Sequence, residues 1–521
     1  MNKKYCDPKS EITLDLTGMI SLPNSFNDAQ SMPNMKQIHE EMKKIEAGLI
    51  KNPDENRKVT HFTDRKNYLA SELYKEVEGF AASLRDGEIL SSTKIPFQNL
   101  VVNGIGGSAL GPQLLQFAIN GPYWNEFDAQ KRNNNLKIYF TDNTDSAGIS
   151  DILSVTNPEE TLVLSVSKSG GTQETRNNML AFENFFKKKG IDFTKHAAAV
   201  TMKGSKLDIY ATDNNWLKVF HMPASIGGRT SETAVVGHVP AALAGIDFGD
   251  FIKGACQMDE LTRNSQILEN PAYLLSLSWY YAGNGKGDKN MVIVPYSDRL
   301  ILFARYLQQL VMESLGKEYD LDGNRVCQGL NVFGNKGGTD AHAFIQQLND
   351  GKNDFFATFI EVLKDAEEIL YEDGFSMGDY LHGFKTGLVN ALENGKREVI
   401  EITIREVNEF YLGALIALYE RAVAAYAEMI NVNAFHQPGV ESYKKASEEV
   451  NHINIELRKF IEANPDFSGT AADYAKEAFD NKNTKEIEGI LRKFAANNRK
   501  IGNVILSCQW ENDAWMFLTE K

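Results

Sequence analysis

Residues 99–112 read Asn-Leu-Val-Val-Asn-Gly-Ile-Gly-Gly-Ser-Ala-Leu-Gly-Pro, a short apolar run that ends in a glycine-rich turn. An apolar, β-branched run of this length predicts a buried strand, and the residues after the turn begin a helical pattern. The same order of strand, turn and helix recurs along the chain after residue 96. Alternation of this kind is typical of βαβ units, so the sequence predicts an α/β fold with parallel sheets flanked by helices.

Further predicted strands divide these βαβ units into two groups. The strands are Lys137–Phe140, Thr161–Val166 and Met291–Val294. The turn-rich stretch 282–288 separates the groups and is a plausible domain junction. We therefore predict a helical amino-terminal extension over 1–95, a first domain over 96–285, a second domain over 286–450 and a helical carboxy-terminal extension over 451–521.

The composition is that of an acidic globular protein. Among 521 residues, 55 Lys and Arg against 70 Asp and Glu give 55 − 70 = −15, which argues against a nucleic-acid partner. The chain contains no run of about 18 apolar residues that would predict a membrane span, and no apolar stretch of a signal peptide at its start. Four scattered cysteines predict neither a disulfide framework nor a structural zinc site. We therefore expect a cytoplasmic protein without nucleic-acid or membrane partners.

The Gly loop, residues 103–112, follows the first strand at the edge where parallel sheets bind ligands. Its glycines allow a ligand to approach the backbone, and Ser108 adds a hydroxyl beside the nitrogens that start a helix. From Gly104 to Ala109 the loop also satisfies the relaxed dinucleotide pattern G-x-G-x-x-A. A dinucleotide site needs an acidic residue about 20 positions further on, and Asp142 lies rather too far along. The loop alone leaves an anion site and a dinucleotide site open.

The Ser loop, residues 167–172, reads Ser-Lys-Ser-Gly-Gly-Thr and follows another predicted strand. The hydroxyls of Ser167, Ser169 and Thr172 and the ammonium of Lys168 lie at the predicted start of a helix, which suits a phosphate group without a metal. The structural alternative is a helix N-cap with a flexible turn, which explains one of the three hydroxyls. The P-loop order G-x-x-x-x-G-K-[ST] is absent. We therefore favour an anion site.

The Arg loop, residues 226–231, reads Ile-Gly-Gly-Arg-Thr-Ser and places Arg229 behind two glycines. One interpretation is a surface ion pair, the commoner fate of an arginine. The other is a permanent positive charge that stabilises a developing oxyanion.

Residues 299–316 predict a helix whose apolar stripe leaves Arg305, Gln309 and Glu313 on another face. Such a face is usually solvated, and Glu313 has Lys317 four residues further on as an ion-pair partner. The functional alternative is that Glu313 is a carboxylate base.

Two later loops supply the remaining titratable groups. His342 follows the glycines of residues 334–338, and histidine is a residue type suited to proton transfer near neutrality, although a lone histidine is more often packed or capping. Lys444 follows a Pro-Gly turn at 438–439, and taken singly it reads as a solvated lysine.

Six segments, taken together and in this order, resemble the phosphoglucose isomerase family. They are GIGGSALGP at 104–112, SKSGGTQET at 167–175, IGGRTSETAVVG at 226–237, QQLVMESLGK at 308–317, GNKGGTDAHAFIQQL at 334–348 and HQPGVESYKK at 436–445. The resemblance covers most of residues 100–450. It implies two sugar isomerase (SIS) domains and an aldose–ketose isomerase that interconverts glucose 6-phosphate and fructose 6-phosphate in glycolysis and gluconeogenesis.

The resemblance also implies a role for each residue that matches a family motif. Glu313 is expected to move a proton between C2 and C1 through a cis-enediol, and Arg229 to stabilise its negative charge. His342, supplied by the other subunit of a homodimer, and Lys444 are expected to assist ring opening. The remaining matches are expected to bind the sugar phosphate substrate: Ser167, Lys168, Ser169 and Thr172 its phosphate, Gly107 and Ser108 its sugar, and Gln309 and Gln437 as polar contacts. The resemblance implies no metal or other cofactor.

Three other functions are compatible with parts of the pattern. A non-catalytic phosphosugar sensor would need the Ser loop but not Glu313, His342 and Lys444. A nicotinamide-dependent oxidoreductase would need the ribose acid that the Gly loop lacks. Isomerisation of a mannose phosphate or an aminated sugar phosphate stays open as a side activity. Contacts to individual sugar hydroxyls discriminate between these substrates, and the sequence does not reveal those contacts. The residues at 169–171, Ser-Gly-Gly, replace the Thr-Phe-Thr of animal family members, although Thr172 is kept, so a different selectivity among sugars stays open.

Overall fold

The computed structural model describes residues 3–26, 32–53, 55–371, 374–511 and 513–520. The chain divides into two compact units, residues 1–436 and residues 437–521.

The strands of the first unit include those predicted from the sequence. In chain order they are β1 (Lys4–Cys6), β2 (Thr13–Asp15), β3 (Ile50–Asn52), β4 (Arg57–Lys58), β5 (Asn99–Asn103), β6 (Lys137–Thr141), β7 (Thr161–Val166), β8 (Ala197–Thr201), β9 (Lys218–His221), β10 (Asn290–Pro295), β11 (Lys317–Tyr319), β12 (Arg325–Gln328), β13 (Val332–Phe333), β14 (Phe355–Val362) and β15 (Glu398–Ile404). The four runs predicted as strands correspond to β5, β6, β7 and β10.

The helices of the first unit connect these strands. They are α1 (Met35–Glu46), α2 (His61–Tyr68), α3 (Glu72–Arg85), α4 (Leu110–Ile119), α5 (Ser146–Val155), α6 (Gln173–Lys188), α7 (Lys206–Asp213), α8 (Val235–Leu243), α9 (Phe248–Thr262), α10 (Pro271–Ala282), α11 (Phe303–Leu307), α12 (Ile345–Asp350), α13 (Met377–Asn394) and α14 (Glu409–Met429). Among the described residues, no helix has both the length and the apolar character needed to cross a membrane.

The first sheet has the strand order β6-β5-β7-β8-β9, and its neighbouring strands run parallel. Strands β5 and β7 are buried along their whole length, as expected for a parallel sheet covered on both faces. Leu100 and Val102 pack into one hydrophobic core, whereas Val101 packs into another on the opposite face. The strand order reverses between β5 and β7, so the Gly loop and the Ser loop follow adjacent strands at the switch point where such sheets bind ligands.

The second sheet has the order β1-β2-β15-β14-β10-β13. Its strands from β15 to β13 are parallel, whereas β2 joins β15 antiparallel and β1 pairs with β2. The predicted α/β class with parallel sheets and flanking helices is therefore confirmed. The amino-terminal segment, predicted as helical, also contributes this short antiparallel hairpin. In β2 only Leu14 is fully buried, and three residues are too few for an alternating pattern to stand out in the sequence.

The second unit has a small core of its own. It contains α15 (Pro438–Ala463), β16 (Gly469–Thr470), α16 (Ala471–Ala478), α17 (Thr484–Ala496), β17 (Ile505–Glu511) and β18 (Ala514–Glu520), with the antiparallel strand order β16-β18-β17. Ile487, Ile490, Leu491 and Phe494 of α17 are buried. The predicted helical segment thus also carries a hairpin, β17–β18, whose Leu506 and Phe517 complete the core.

Residues 299–316, predicted as one α-helix, form three different turns. A 3-10 turn at Asp298–Leu300 precedes α11, and a π-helical turn over Gln308–Glu313 follows it. A π turn adds one residue to each hydrogen-bonded ring, and such turns are frequent at functional sites. Leu310 and Val311 are both buried in this wider turn. The apolar spacing alone did not separate a π turn from an α-helix.

Candidate active site

The Gly loop and the Arg loop lie in direct contact. Gly107 is buried against the backbone of Gly228, and a Cβ placed on Gly107 would overlap the Gly228 carbonyl group and lie 3.0 Å from the nitrogen of Arg229. Gly106 lies under the side chain of Gln309, whose Nε2 is 2.9 Å from the position that a Cβ would occupy. Both glycines therefore allow close packing that a larger residue would disturb. The packing brings the Gly loop next to Arg229, at Gly107, and next to Gln309, at Gly106.

Arg229 connects three segments of the first unit. Its Nε donates to Ser314 Oγ at 2.8 Å, and its Nη2 donates to the carbonyl oxygens of Ala434 and, at 3.4 Å, of His436. Its Nη1 lies 3.5 Å from Glu313 Oε1. The side chain is only 7% exposed. Burial lowers the pKa of Arg229 and the Glu313 carboxylate opposes that shift, so the guanidinium keeps its charge.

The π-helical turn presents Gln309 and Glu313. Glu313 ends the turn, and its carboxylate pairs with Arg229 rather than with Lys317. Lys317 instead donates its Nζ hydrogens to the carbonyl oxygens of Glu313, at 2.9 Å, and Ser314, at 2.7 Å. The ion pair between Glu313 and Lys317 that the spacing suggested is therefore not formed. Burial, followed by the nearby charge of Arg229, lowers the pKa of Lys317 to about 7.

The Ser loop turns tightly at the carboxyl end of β7. Ser167 Oγ donates to Thr172 Oγ1 at 3.3 Å and accepts the Gly170 N–H, and Ser169 Oγ accepts the Gly171 N–H. Thr172 holds the N-cap position of α6, yet its side chain makes no capping hydrogen bond. The simple N-cap interpretation therefore does not account for this threonine.

A cavity of about 120 Å³ adjoins the Ser loop. Ser167 and Thr172 line it on the loop side, Arg176 and Lys206 add two positive side chains, and the rest of the lining is mostly apolar. Gly170 has a φ of +66°, and a Cβ there would overlap the backbone nitrogen of Leu207. The Ser loop thus combines hydroxyls, a helix start and cations in a recess, which suits an anion.

Lys168 is partly buried and has an acidic neighbour from the β3–β4 hairpin. Its Nζ donates to Glu55 Oε2 at 2.8 Å, and Arg57 Nε donates to the same oxygen at 2.7 Å. Burial lowers the pKa of Lys168. Burial alone would raise the pKa of Glu55. The hydrogen bond and charge of Lys168, together with the charge of Arg57, outweigh the effect of burial and hold the pKa of Glu55 below its ordinary value. The amino-terminal extension, residues 1–95, therefore contacts the Ser loop through Glu55.

The other predicted site residues lie on separate elements. Ser108 is partly buried in the 3-10 turn Gly106–Ser108 of the Gly loop. His342 ends a 3-10 turn and is exposed, and its ring makes no hydrogen bond or ion pair with the part of the chain that is described. Gln437 is the N-cap residue of α15, and Lys444 is an exposed residue in the first turns of that helix, in the second unit. Their roles stay predictions.

The sequence did not single out several residues that shape the site. Ser314, at the end of the π turn, accepts hydrogen bonds from Arg229 through its hydroxyl and from Lys317 through its carbonyl oxygen. Glu232 is buried beneath the Gly loop, and its two carboxyl oxygens have no hydrogen-bond partner among the described residues. Burial raises the pKa of Glu232 well above its usual range. In the sequence, the only indication of a role for Glu232 was its position directly after the Arg loop.

Comparison with known proteins identifies the family. The sequence model of the phosphoglucose isomerase family matches residues 29–466. A glucose-6-phosphate isomerase of Geobacter sp. (strain M21) is 45% identical, over 98% of this chain and 97% of its own length. Another from Acaryochloris marina (strain MBIC 11017) is 48% identical, over 92% and 91%. The crystal structure of a glucose-6-phosphate isomerase from Chlamydia trachomatis superposes with a TM-score of 0.74 at 25% identity, over 85% of this chain and 88% of that chain. The chain belongs to the phosphoglucose isomerase family.

Proposed function

We propose that this protein interconverts glucose 6-phosphate and fructose 6-phosphate, with Glu313 as the base that carries a proton between C2 and C1. The observation that carries the proposal is the carboxylate of Glu313 held 3.5 Å from the buried guanidinium of Arg229, beside the Gly loop. Proton abstraction next to a carbonyl needs a base for the carbon and a positive partner for the oxygen. Neither role requires a metal ion or a nucleotide.

The substrate phosphate binds to the Ser loop in this proposal. Ser167, Ser169 and Thr172 supply hydroxyls, and Lys168 supplies the cation, at the start of α6. Gly107, Ser108 and Gln309 line the sugar, and Gln437 adds a polar contact. Because Arg229 has a fixed position, it meets the charge that develops on the enediolate oxygen without moving.

Ring opening is assigned to His342 and Lys444, with His342 contributed by the other subunit of a homodimer. The exposure of His342, whose ring has no partner within the described part of the chain, supports a role outside its own subunit.

The four cysteines, Cys6, Cys256, Cys327 and Cys508, form no disulfide, which fits a reducing compartment such as the cytoplasm.

Glu313→Gln tests the base directly, because glutamine keeps the shape of the side chain and removes its basicity. We expect turnover to fall by at least about 10³-fold while the affinity for fructose 6-phosphate changes little. Glu318→Gln is the matched control, since Glu318 is an exposed residue of β11 that pairs with Arg325. Wild-type turnover in Glu313→Gln, with strongly reduced binding, would contradict the assignment and move Glu313 to a binding role.

Mixing two inactive variants tests the contribution of His342 across the interface. Subunits with Glu313→Gln and subunits with His342→Ala are each expected to be inactive alone. If the site is shared, refolding them together in equal amounts restores about one quarter of wild-type activity, because half of the dimers are mixed and each mixed dimer has one intact site. No recovery in a mixture shown to contain mixed dimers would place His342 in the site of its own subunit.

A further inference from the structure

We propose that Glu55 is an internal competitor of the substrate phosphate, which neutralises Lys168 in the empty site and is displaced when a phosphate group binds. The inference rests on the proposed function, since that function assigns Lys168 to the phosphate. Glu55 lies on the turn between β3 and β4, in a segment that the sequence motifs of the site do not include. Its Oε2 accepts hydrogen bonds from Lys168 and Arg57 at once.

The position of Glu55 suits a group that leaves readily. Its side chain is 43% exposed, whereas that of Lys168 is 22% exposed and that of Arg57 only 12%. The cations are thus held in the site while the carboxylate reaches them from its rim. A carboxylate at the rim can rotate into solvent and recover its hydration, so displacement costs little.

The backbone that carries Glu55 is anchored, so only its side chain needs to move. The Glu55 N–H donates to Asn52 Oδ1 at 3.0 Å, and Asn52 Nδ2 donates to the carbonyl oxygen of Phe435 at 3.0 Å. Asn433 Nδ2 donates to the carbonyl oxygen of Lys51. The hairpin is therefore tied to the segment that also receives hydrogen bonds from Arg229.

The charges favour exchange of one anion for another. Glu55, Arg57 and Lys168 together carry a net charge of 2 − 1 = +1, and a phosphate monoester carries about −1.5 to −2 at pH 7. If Glu55 remained in contact with Lys168, the bound phosphate and the carboxylate would repel each other across one ammonium group. Departure of Glu55 removes this repulsion and leaves both cations to the phosphate. Arg57 also donates to the carbonyl oxygen of Ser225, beside the Arg loop, so it stays in place when Glu55 leaves.

Glu55→Gln tests the competition, with Glu76→Gln as the matched control. Glu76 pairs with Lys218 at 2.6 Å, and the exposures of that pair, 44% and 29%, are close to those of Glu55 and Lys168. Both variants remove one negative charge, but Glu76 lies on α3 and Lys218 begins β9, whereas the Ser loop follows the carboxyl end of β7. We expect Glu55→Gln to bind inorganic phosphate about two- to five-fold more tightly than wild type at low ionic strength, and Glu76→Gln to bind it unchanged.

The full chain is titrated with inorganic phosphate by calorimetry, and KM for fructose 6-phosphate is measured alongside. In a Lys168→Gln background, Glu55→Gln should lose most of its effect, because the cation for which Glu55 competes is gone. Unchanged or weaker phosphate binding in Glu55→Gln, or an absence of phosphate binding in every variant, would overturn the proposal. Weaker binding would mean that Glu55 positions Lys168 instead.

The two proposals fail in different ways. If wild type has no isomerase activity while Glu55→Gln still tightens phosphate binding, the function is wrong and the competition stands. If wild type isomerises the substrate and Glu55→Gln does not tighten binding, only the competition is wrong.

Discussion

Gly107→Ala should push the Gly loop and the Arg loop apart without removing a functional group from either loop. An added methyl carbon would overlap the carbonyl group of Gly228 and lie 3.0 Å from the nitrogen of Arg229. Ordinary contacts begin at 3.4 Å, so the nitrogen alone must retreat by 3.4 − 3.0 = 0.4 Å, and the carbonyl by more. The guanidinium of Arg229 is carried on this backbone and lies 3.5 Å from Glu313, so the retreat alters the geometry of the proposed catalytic pair.

The expected loss follows from this displacement. A misplacement of about 1 Å in an active site costs on the order of 10²-fold in rate, so we expect kcat to fall by about 10- to 100-fold. The overlap also strains the packing of two buried loops, at a cost of about 1–3 kcal/mol in the free energy of unfolding. The assay is steady-state turnover of fructose 6-phosphate, with thermal unfolding measured in parallel.

Gly228→Ala is the matched control for folding. Nothing lies within 4 Å of a Cβ on Gly228, although this residue forms the other side of the same contact. Its unfolding free energy should therefore stay within about 0.5 kcal/mol of wild type. Wild-type kcat and wild-type stability in Gly107→Ala would refute the argument that this contact sets the position of Arg229.

Two further predictions concern the neighbours of Glu313. Arg229→Ala should lower kcat by about 10²- to 10³-fold and change KM far less, and an unchanged kcat would exclude the oxyanion role. Lys317→Met removes a group whose pKa is lowered to about 7, so that above pH 7 the unfolded chain binds a proton that the folded chain does not. Wild type therefore gains stability as the pH rises from about 7 towards 10, whereas Lys317→Met does not. The Tm of Lys317→Met relative to wild type should fall over this pH range. A Tm difference that stays constant with pH would contradict the lowered pKa of Lys317.

The sequence predicted the elements that carry the site because their patterns are local. The runs that became β5 and β7 are apolar throughout, as strands buried on both faces must be, and each is followed by a loop with clear turn residues. The adjacency of the two loops required the order of the strands in the sheet, which the sequence did not predict. Membership of the family, predicted from six short motifs, is confirmed.

The features that the sequence did not predict depend on contacts between distant segments. The π turn at residues 308–313 keeps the apolar spacing of a helix, so its extra residue per turn is invisible in the pattern. Glu55 is 113 positions from Lys168 along the chain, and only the folded hairpin brings them together. Lys317 was expected to pair with the carboxylate of Glu313, but that carboxylate meets a buried arginine from another loop. Long-range packing therefore decided the last two of these arrangements.

These contacts also show how the site is held before substrate arrives. Arg229 is fixed by Ser314 and by the backbone at Ala434, and Lys317 holds the end of the π turn. The groups proposed to act on the sugar are therefore fixed by hydrogen bonds from their neighbours, as an electrostatically preorganised site requires. The Ser loop is not preorganised in this way, because its Lys168 is paired with the carboxylate of Glu55 at the rim.

The isomerase activity is tested most directly by the formation of glucose 6-phosphate from fructose 6-phosphate by the purified chain, with a chelator present and no nucleotide in the isomerisation step. We expect rapid turnover under these conditions. A folded, dimeric protein that binds the sugar phosphate and does not convert it would contradict the proposed function, and would indicate a sensor rather than an enzyme.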